Sequence, residues 1–474
     1  MEVLQRTANR GSISTGYDID NSCKFEADNS EELNFTPSSS GSNQTWTFSC
    51  WFKQTELDAT GTIFGHYTSA DNQALVRRLD TNEFSFRLVN GGTVRELKSD
   101  MLFRDTLAWY HLVVAVDTTD GTSTNRVKVY VNGEQISLTG TYPTSSLGTY
   151  GINTSSLLMD IGGTTTAGGT FRGFCGYLAE IHHIDGSQLA PTDFGETDED
   201  TGIWKPKQIS GLTYGTNGFY LDFADAADLG NDASGNGNDF TLNNITAADQ
   251  ATDTPTNNFC TLNVISAIGN NTYTEGATKG IANAQNEQAE GTFMINKGKW
   301  YFEAQNITSY GAMFGFGKPN NWATSNPNNP GNDTSSFAIA NDGNVYYNNN
   351  TAASGWAAYA TTDKAMIAVD LDNGFCYFGK NGIWGNSGDP TSGSSGTGGF
   401  NYVSLVTNIS LGDELVPALR ISYTQTHGAM FNFGGYTIMT ISSAASDDNG
   451  YGTFEYAPPS GYYALCTKNL AEYG

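Results

Sequence analysis

Charge is scarce in this chain. Charged residues make up 15% of its 474 residues, against about a quarter in ordinary soluble domains. Bases are scarcest: 23 Lys and Arg face 49 Asp and Glu, a formal charge of −26. Without clustered Lys and Arg a protein cannot neutralise phosphates and release their counterions. That excludes coating of nucleic acid or of anionic lipid. No apolar run approaches the ~20 residues that span a bilayer, so no membrane insertion is expected. The opening MEVLQRTANRGSISTG lacks the apolar segment of a secretory signal. The six cysteines, Cys23, Cys50, Cys175, Cys260, Cys376 and Cys466, are far apart and form no CxxC. They read as neither a disulfide scaffold nor a zinc site. Cys50, Cys175 and Cys376 lie in apolar strand-like runs and read as small buried hydrophobes of a reduced compartment. Five histidines leave little for acid–base chemistry. His182 and His183 are adjacent in a strand, so they point to opposite faces and cannot share a metal. His111 sits in an apolar strand and reads as structural. No Gly-x-Ser-x-Gly elbow, Walker A loop or His-Glu-x-x-His occurs. No catalytic residue is expected.

What is abundant is Gly (55 residues), aromatics (12%), Asn, Thr and Ser. Thr, Tyr and Phe favour strands, Gly and Asn favour turns, and the usual helix-surface residues are few. An all-β protein follows. Strand-like alternation appears at 45–53, 83–89, 109–117 and 126–131, with a hairpin turn at Asn132-Gly133. The run 171–184 carries a kink at Gly176, and Leu189 to Glu196 makes one helical turn. A second strand-rich region holds 299–307, 312–317, 337–348, 365–384, 415–421 and 429–435. Between the regions, 243–255 is rich in Ala, Thr, Asn and Asp and reads as linker. The absence of a short fixed period excludes a propeller or solenoid, and no heptads or Gly-X-Y triplets occur.

Four motifs in the first region are similar to the laminin-G-like, concanavalin A-like jelly-roll family. They are Trp46 to Trp51; Trp109 to Val113 leading to Arg126–Gly133; Phe171-Arg172-Gly173 with Gly176 to Ile181; and Asp232 to Asp239. That family implies a two-sheet sandwich that often binds sugars or proteins. The second region resembles the SPRY/B30.2 family, through Gly298 to Glu303, Phe314 to Gly317, Asp370 to Gly374, Phe378 to Gly382, Val416-Pro417-Ala418 and Phe431 to Gly434. That resemblance implies a non-catalytic protein-interaction module. The tandem, with its opening Ala8 to Ser22 and Thr36 to Ser49 and its ending Pro459 to Leu470, resembles tail-fibre and attachment proteins of tailed, marine-type bacteriophages. Comparable proteins often continue past this ending, so the stop at Gly474 reads as a missing distal domain.

Three residue sets are candidate sites. Asp228, Asp232, Asn236 and Asp239 lie in a run dense in hard oxygen ligands, which suit calcium. The spacing is not that of an EF-hand, and a Gly/Asn/Asp turn between strands is the competing reading. Trp322, Trp356 and Tyr359 sit among Asn and Gly on two long loops. They could stack on a sugar while neighbouring amides bind its hydroxyls, or fold back to anchor the loops or fill an oligomer interface. Glu196, Asp198, Glu199 and Asp200 have the composition of a glycosidase acid pair, but flanking Pro191, Gly195 and Gly202 mark a solvated loop.

The expected architecture is two tandem concanavalin A-like antiparallel β-sandwiches: an arm at 1–19, a laminin-G-like jelly roll at 20–247, a linker at 248–270, a SPRY-like sandwich at 271–440 and a tail at 441–474. The expected function is a non-enzymatic phage virion protein, a tail-fibre or adhesin component recognising a host-surface glycan or protein. The arm would anchor it to other virion proteins, and a fibre would be a homotrimer. A capsid decoration protein, a lectin and a glycan depolymerase are the alternatives. No cofactor is expected beyond calcium.

Overall fold

The computed structural model describes residues 16–266, 271–282, 288–308, 312–319, 330–420 and 427–474. The described chain divides into two compact units, 15–256 and 257–474. Each is a β-sandwich with its own apolar core.

In the first unit, one sheet runs in the order Glu134–Gln135, Val127–Val131, Tyr110–Asp117, Thr45–Gln54, Gly176–Asp185, Ser22–Phe25, Gln250–Ala251, with Phe219–Leu221 beside Gly176–Asp185. The facing sheet runs Leu138–Gly140, Thr93–Leu102, Glu83–Asn90, Asn72–Arg78, Gly61–Ser69, Met159–Ile161, Glu32–Phe35, Thr241–Asn243. Alternate residues of both sheets face each other, as expected for strands of period two. Phe48 stacks on Phe64 at 4.4 Å, and the Trp46 indole donates to Thr149 Oγ1 at 2.9 Å. Asn132 and Gly133 form the expected hairpin turn, both with positive φ (48° and 83°). The run 171–184 breaks where expected: Gly176 (φ 146°) opens a strand whose partner's Lys53 carbonyl leaves no room for a Cβ. Instead of a helical turn over 189–196, one 3-10 turn spans Pro191–Asp193.

The outer face of the first sheet is covered too. Phe194 packs on Val113 and Ile184, with Leu189, Ile209, Leu212 and Tyr214 around it. Trp204 and Trp51 both stack on His111. The indole of Trp204 donates to His111 Nδ1 at 3.0 Å, which leaves Nε2–H to donate to Ser49 Oγ at 2.9 Å.

The second unit has one sheet in the order Thr272–Thr274, Lys279–Ala282, His427–Asn432, Lys299–Asn306, Lys364–Asp370, Phe375–Lys380, Ile383–Trp384. The other runs Gln288–Glu290, Val416–Arg420, Met313–Gly317, Ser336–Ala340, Val345–Tyr347, Asn350–Ala353. The strand-rich stretch 337–348 is a hairpin, because Gly343 (φ 81°) turns the chain.

Two expected boundaries move. Over its described residues, the expected linker 248–270 is not a free segment. Gln250–Ala251 pairs with Ser22–Cys23 in the first unit, whereas Cys260 and Leu262 are buried in the second core. The segment 441–474 is not a tail. Tyr463–Ala464 pairs in parallel with Trp300–Tyr301, and the Phe454 ring meets Tyr301 edge-on at 5.0 Å. Buried Glu303 accepts the backbone N–H groups of Glu455 and Tyr456 at 3.0 and 2.8 Å. The apolar outer face of a sheet required a cover, and this segment supplies it.

Candidate functional site

The outer face of the first unit's second sheet carries an organised polar surface. Leu33, Met159 and Ile161 point into the core. Strand alternation therefore puts Glu32, Asn34, Asp160 and Asn243 together on the opposite face. Asn34 and Asp160 are direct cross-strand partners, as are Asn243 and Glu32. The Asn34 amide donates to Asp160 Oδ1 at 2.8 Å, and Thr164 Oγ1 donates to Oδ2 at 2.8 Å. Asn243 donates in turn to Asn34 Oδ1. Burial pushes the Asp160 carboxyl up to about 7; the Thr164 hydrogen bond opposes this and the charge of Glu32 adds to it. Burial also raises Glu32, against a hydrogen bond with Asn34. Glu32 Oε2 is shut off from solvent and has no hydrogen-bond partner.

Further along this face Glu96 joins two cations. It accepts from Arg77 at 2.6 Å, from Arg87 at 2.9 Å and from Ser85 at 2.7 Å. Burial acts to raise Glu96, but the hydrogen bonds from Ser85 and Arg77 outweigh it and hold the carboxyl low. Half-buried Tyr67 lies on the same face, two residues from Gly65, the cross-strand partner of Asp160. The face thus alternates fixed donors and acceptors beside an aromatic ring. A sugar hydroxyl, which both donates and accepts, suits such an array.

The sequence candidates lie elsewhere. Asp232 accepts Tyr220 N–H and Ser234 N–H on Oδ1, and Asn238 N–H and Ser234 Oγ–H on Oδ2, all at 2.9 Å. Asp239 accepts Asp232 N–H, Asp228 accepts Gly230 N–H, and Asn236 donates to the carbonyls of Gly215 and Gly218. These oxygens and amides organise a turn. Among the described residues no group of three His, Cys, Asp or Glu side chains could hold a metal ion.

Trp356 and Tyr359 are packed in the second core, 8% and 6% exposed. Trp356 meets Phe378 edge-on at 5.8 Å, and Tyr359 donates to the Gly379 carbonyl at 3.2 Å. Neither ring presents a face to a ligand: burying the rings anchors their loop. Trp322 lies outside the described residues. Glu196 and Asp198 sit on the hairpin Gly195–Thr197 and Trp204–Pro206, where Lys205 Nζ lies 3.6 and 2.9 Å from their carboxylates. The hydrogen bond from Lys205 holds Asp198 down at about 2, the wrong direction for a general acid. His182 and His183 diverge as expected, to the Tyr214 hydroxyl and to Asn153 Oδ1, both at 2.9 Å.

The cluster of Glu32, Asn34, Asp160 and Asn243 is not legible in the sequence because its strands are three or four residues long, too short to show alternation. The signal available was an acid between core hydrophobes, in Met159-Asp160-Ile161.

The fold is all-β, and its first unit is a concanavalin A-like jelly roll: a family profile described as the concanavalin A-like lectin/glucanases superfamily matches residues 27–186. No curated protein matches the sequence. Among solved structures, the chain is similar to a proposed carbohydrate-binding protein from Bacteroides ovatus ATCC 8483, at 16% identity and TM-score 0.32. That match covers 48% of this chain and spans 60% of the Bacteroides chain. The heptameric SAP-like pentraxin of Limulus polyphemus matches at 18% identity and TM-score 0.28, over 37% of this chain and 80% of that one. The SPRY domain of human HERC1 matches at 13% identity and TM-score 0.28, over 38% of this chain and 99% of that domain.

Proposed function

We propose that this protein is a non-enzymatic tail-fibre or adhesin component of a tailed-phage particle, and that the polar face of its first sandwich holds a neutral host-surface glycan. The observation that carries the glycan reading is the half-buried row of Asn34 and Asn243, fixed against Asp160 and each other on the same sheet face as the Tyr67 ring. The resemblance of 8–22, 36–49 and 459–470 to phage attachment proteins supports the virion setting. Trimerisation and attachment to other virion proteins are part of the same proposal.

A glycan array with the purified protein tests the site. Binding to neutral oligosaccharides is expected, reduced at least about tenfold in Asn34→Ala and Tyr67→Ala, the loss of one good polar or stacking contact. Wild-type protein that binds no glycan on the array overturns it. Immunolabelling of purified particles tests the setting. A few to about eighteen copies at the tail fit a fibre, whereas hundreds on the head indicate a decoration protein, and unlabelled particles dismiss both.

A further inference from the structure

Lys24 is an unusual residue to find inside a sandwich. Its neighbours Cys23 and Phe25 point into the core, so Lys24 points to the outer face of its sheet, yet its side chain is 1% exposed. Its Nζ lies 2.7 Å from Glu31 Oε1 and 2.9 Å from Asp249 Oδ1, and those side chains are 3% and 8% exposed. Lys24 and Glu31 are close in sequence, whereas Asp249 comes from the far end of the unit. Lys24 is on its first described strand, Ser22–Phe25. Asp249 immediately precedes its last, Gln250–Ala251, and the two strands pair.

The carboxyl of Asp249 is held for attack. Its Oδ2 accepts the Thr246 backbone N–H at 2.8 Å and the Thr246 hydroxyl at 3.1 Å, while Oδ1 faces the amine. Glu31 is placed to move a proton, with Oε1 on Lys24 and Oε2 enclosed without a hydrogen-bond partner. Burial pushes its carboxyl up to about 7 against the attraction of Lys24, so acid and carboxylate forms are both accessible near neutrality.

We propose that Lys24 and Asp249 condense into an intramolecular isopeptide bond with Glu31 as proton shuttle. The ammonium proton first passes to the Asp249 carboxylate, giving a neutral amine and a neutral acid. The amine adds to Cγ of Asp249 and forms the C–N bond. One amine proton then travels through Glu31 to the departing hydroxyl, the C–O bond breaks, and water leaves. Glu31 is regenerated, and no oxidant or co-reactant is consumed.

Two physical terms favour the step. Holding the groups in contact removes the entropy cost of bringing them together. A buried ion pair carries a desolvation penalty that a neutral amide does not. The product would tie residue 24 to residue 249, closing the unit at both ends, so that force along the chain could not peel the edge strand. The inference rests on this buried triad alone and stands apart from the glycan reading.

Denaturing intact-mass spectrometry of the purified wild-type protein is the test. A mass one water below that of the sequence is expected, with digestion giving a branched peptide that joins Lys24 to Asp249. The Asp249→Ala and Lys24→Arg variants should show their full sequence masses. Glu31→Gln, shown to be folded by circular dichroism, should retain the water. A wild-type protein of full sequence mass overturns the proposal without reference to any variant. So does a lost water that maps to a single peptide or to another pair such as Lys53 and Asp253.

Discussion

Four buried titratable side chains of the first sandwich set opposing pH dependences. His111 and His183 are pushed down to about 3 by burial, with His182 adding to the effect at His111. An unfolded histidine binds its proton near 6.5, so between about 3 and 6.5 the unfolded state holds more protons. There stability falls as pH falls. Asp160 and Glu31 act the other way. Their carboxyls are raised by burial to about 7, so the folded state holds more protons above the ordinary carboxylate range, and stability falls as pH rises towards 7. Urea titrations should therefore show these terms cancelling between about pH 4.5 and 6.5, and steep loss below about pH 4, where the histidines act together with the low-held carboxyls of Asp198 and Glu96. His183→Gln should make that acid limb shallower by one proton; an unchanged slope rejects the assignment. Lys53 and Asp253 form another buried pair, 2.7 Å apart, and the Trp109 indole also donates to Asp253 at 3.0 Å. Asp253→Ala is expected to cost about 3–5 kcal/mol, the penalty for removing one partner of a buried pair, measured as a shift of the urea midpoint.

Among elements, the hairpin Val127–Val131 and Glu134–Gln135 was legible, because Asn-Gly between alternating hydrophobics determines a turn locally. Its role was not legible. A Cβ at Gly133 would lie 2.4 Å from the Trp204 ring, so the turn also seats the indole that covers His111. Gly133→Ala is expected to cost about 1–3 kcal/mol through backbone strain at positive φ, together with a change in tryptophan fluorescence from displaced Trp204. A stability loss with unaltered fluorescence would separate strain from seating. The strand Gly176–Asp185 shows the opposite case. Its register shifts between Ala179 and His182, with Glu180 at φ 47°. Nothing in the local sequence announces a bulge at a glutamate. The Tyr220 hydroxyl, 2.7 Å from Glu180, comes from a strand some forty residues away.

For the whole molecule, the decisive case is 441–474. Its loops, turns and few apolar residues read as a tail, but Phe454, Tyr462, Ala464 and Cys466 are buried with Tyr301 and Tyr377. Asp447 ties the segment together by accepting from Ala464 N–H at 2.9 Å and Asn469 Nδ2 at 2.7 Å. A chain ending at residue 440 should lose cooperative unfolding of the second sandwich, while a protease-resistant fragment covering 15–256 survives. Survival of both sandwiches in limited proteolysis would show that the segment is dispensable.

Composition and local pattern alone determined the all-β class, most long strands and the hairpin turns, because a period of two and Gly/Asn turn chemistry act within a few residues; the order of two sandwiches is what the family resemblances implied. Local pattern also determined that His182 and His183 diverge. Tertiary structure decided what each side chain does. It placed Trp356 and Tyr359 in a core, turned Asp228 to Asp239 into a self-bonded loop and brought Glu32, Asn34 and Asp160 onto one face. It set Lys24 against Glu31 and Asp249. Exposure and partnership depend on which distant strands become neighbours, and sequence spacing carries no record of that.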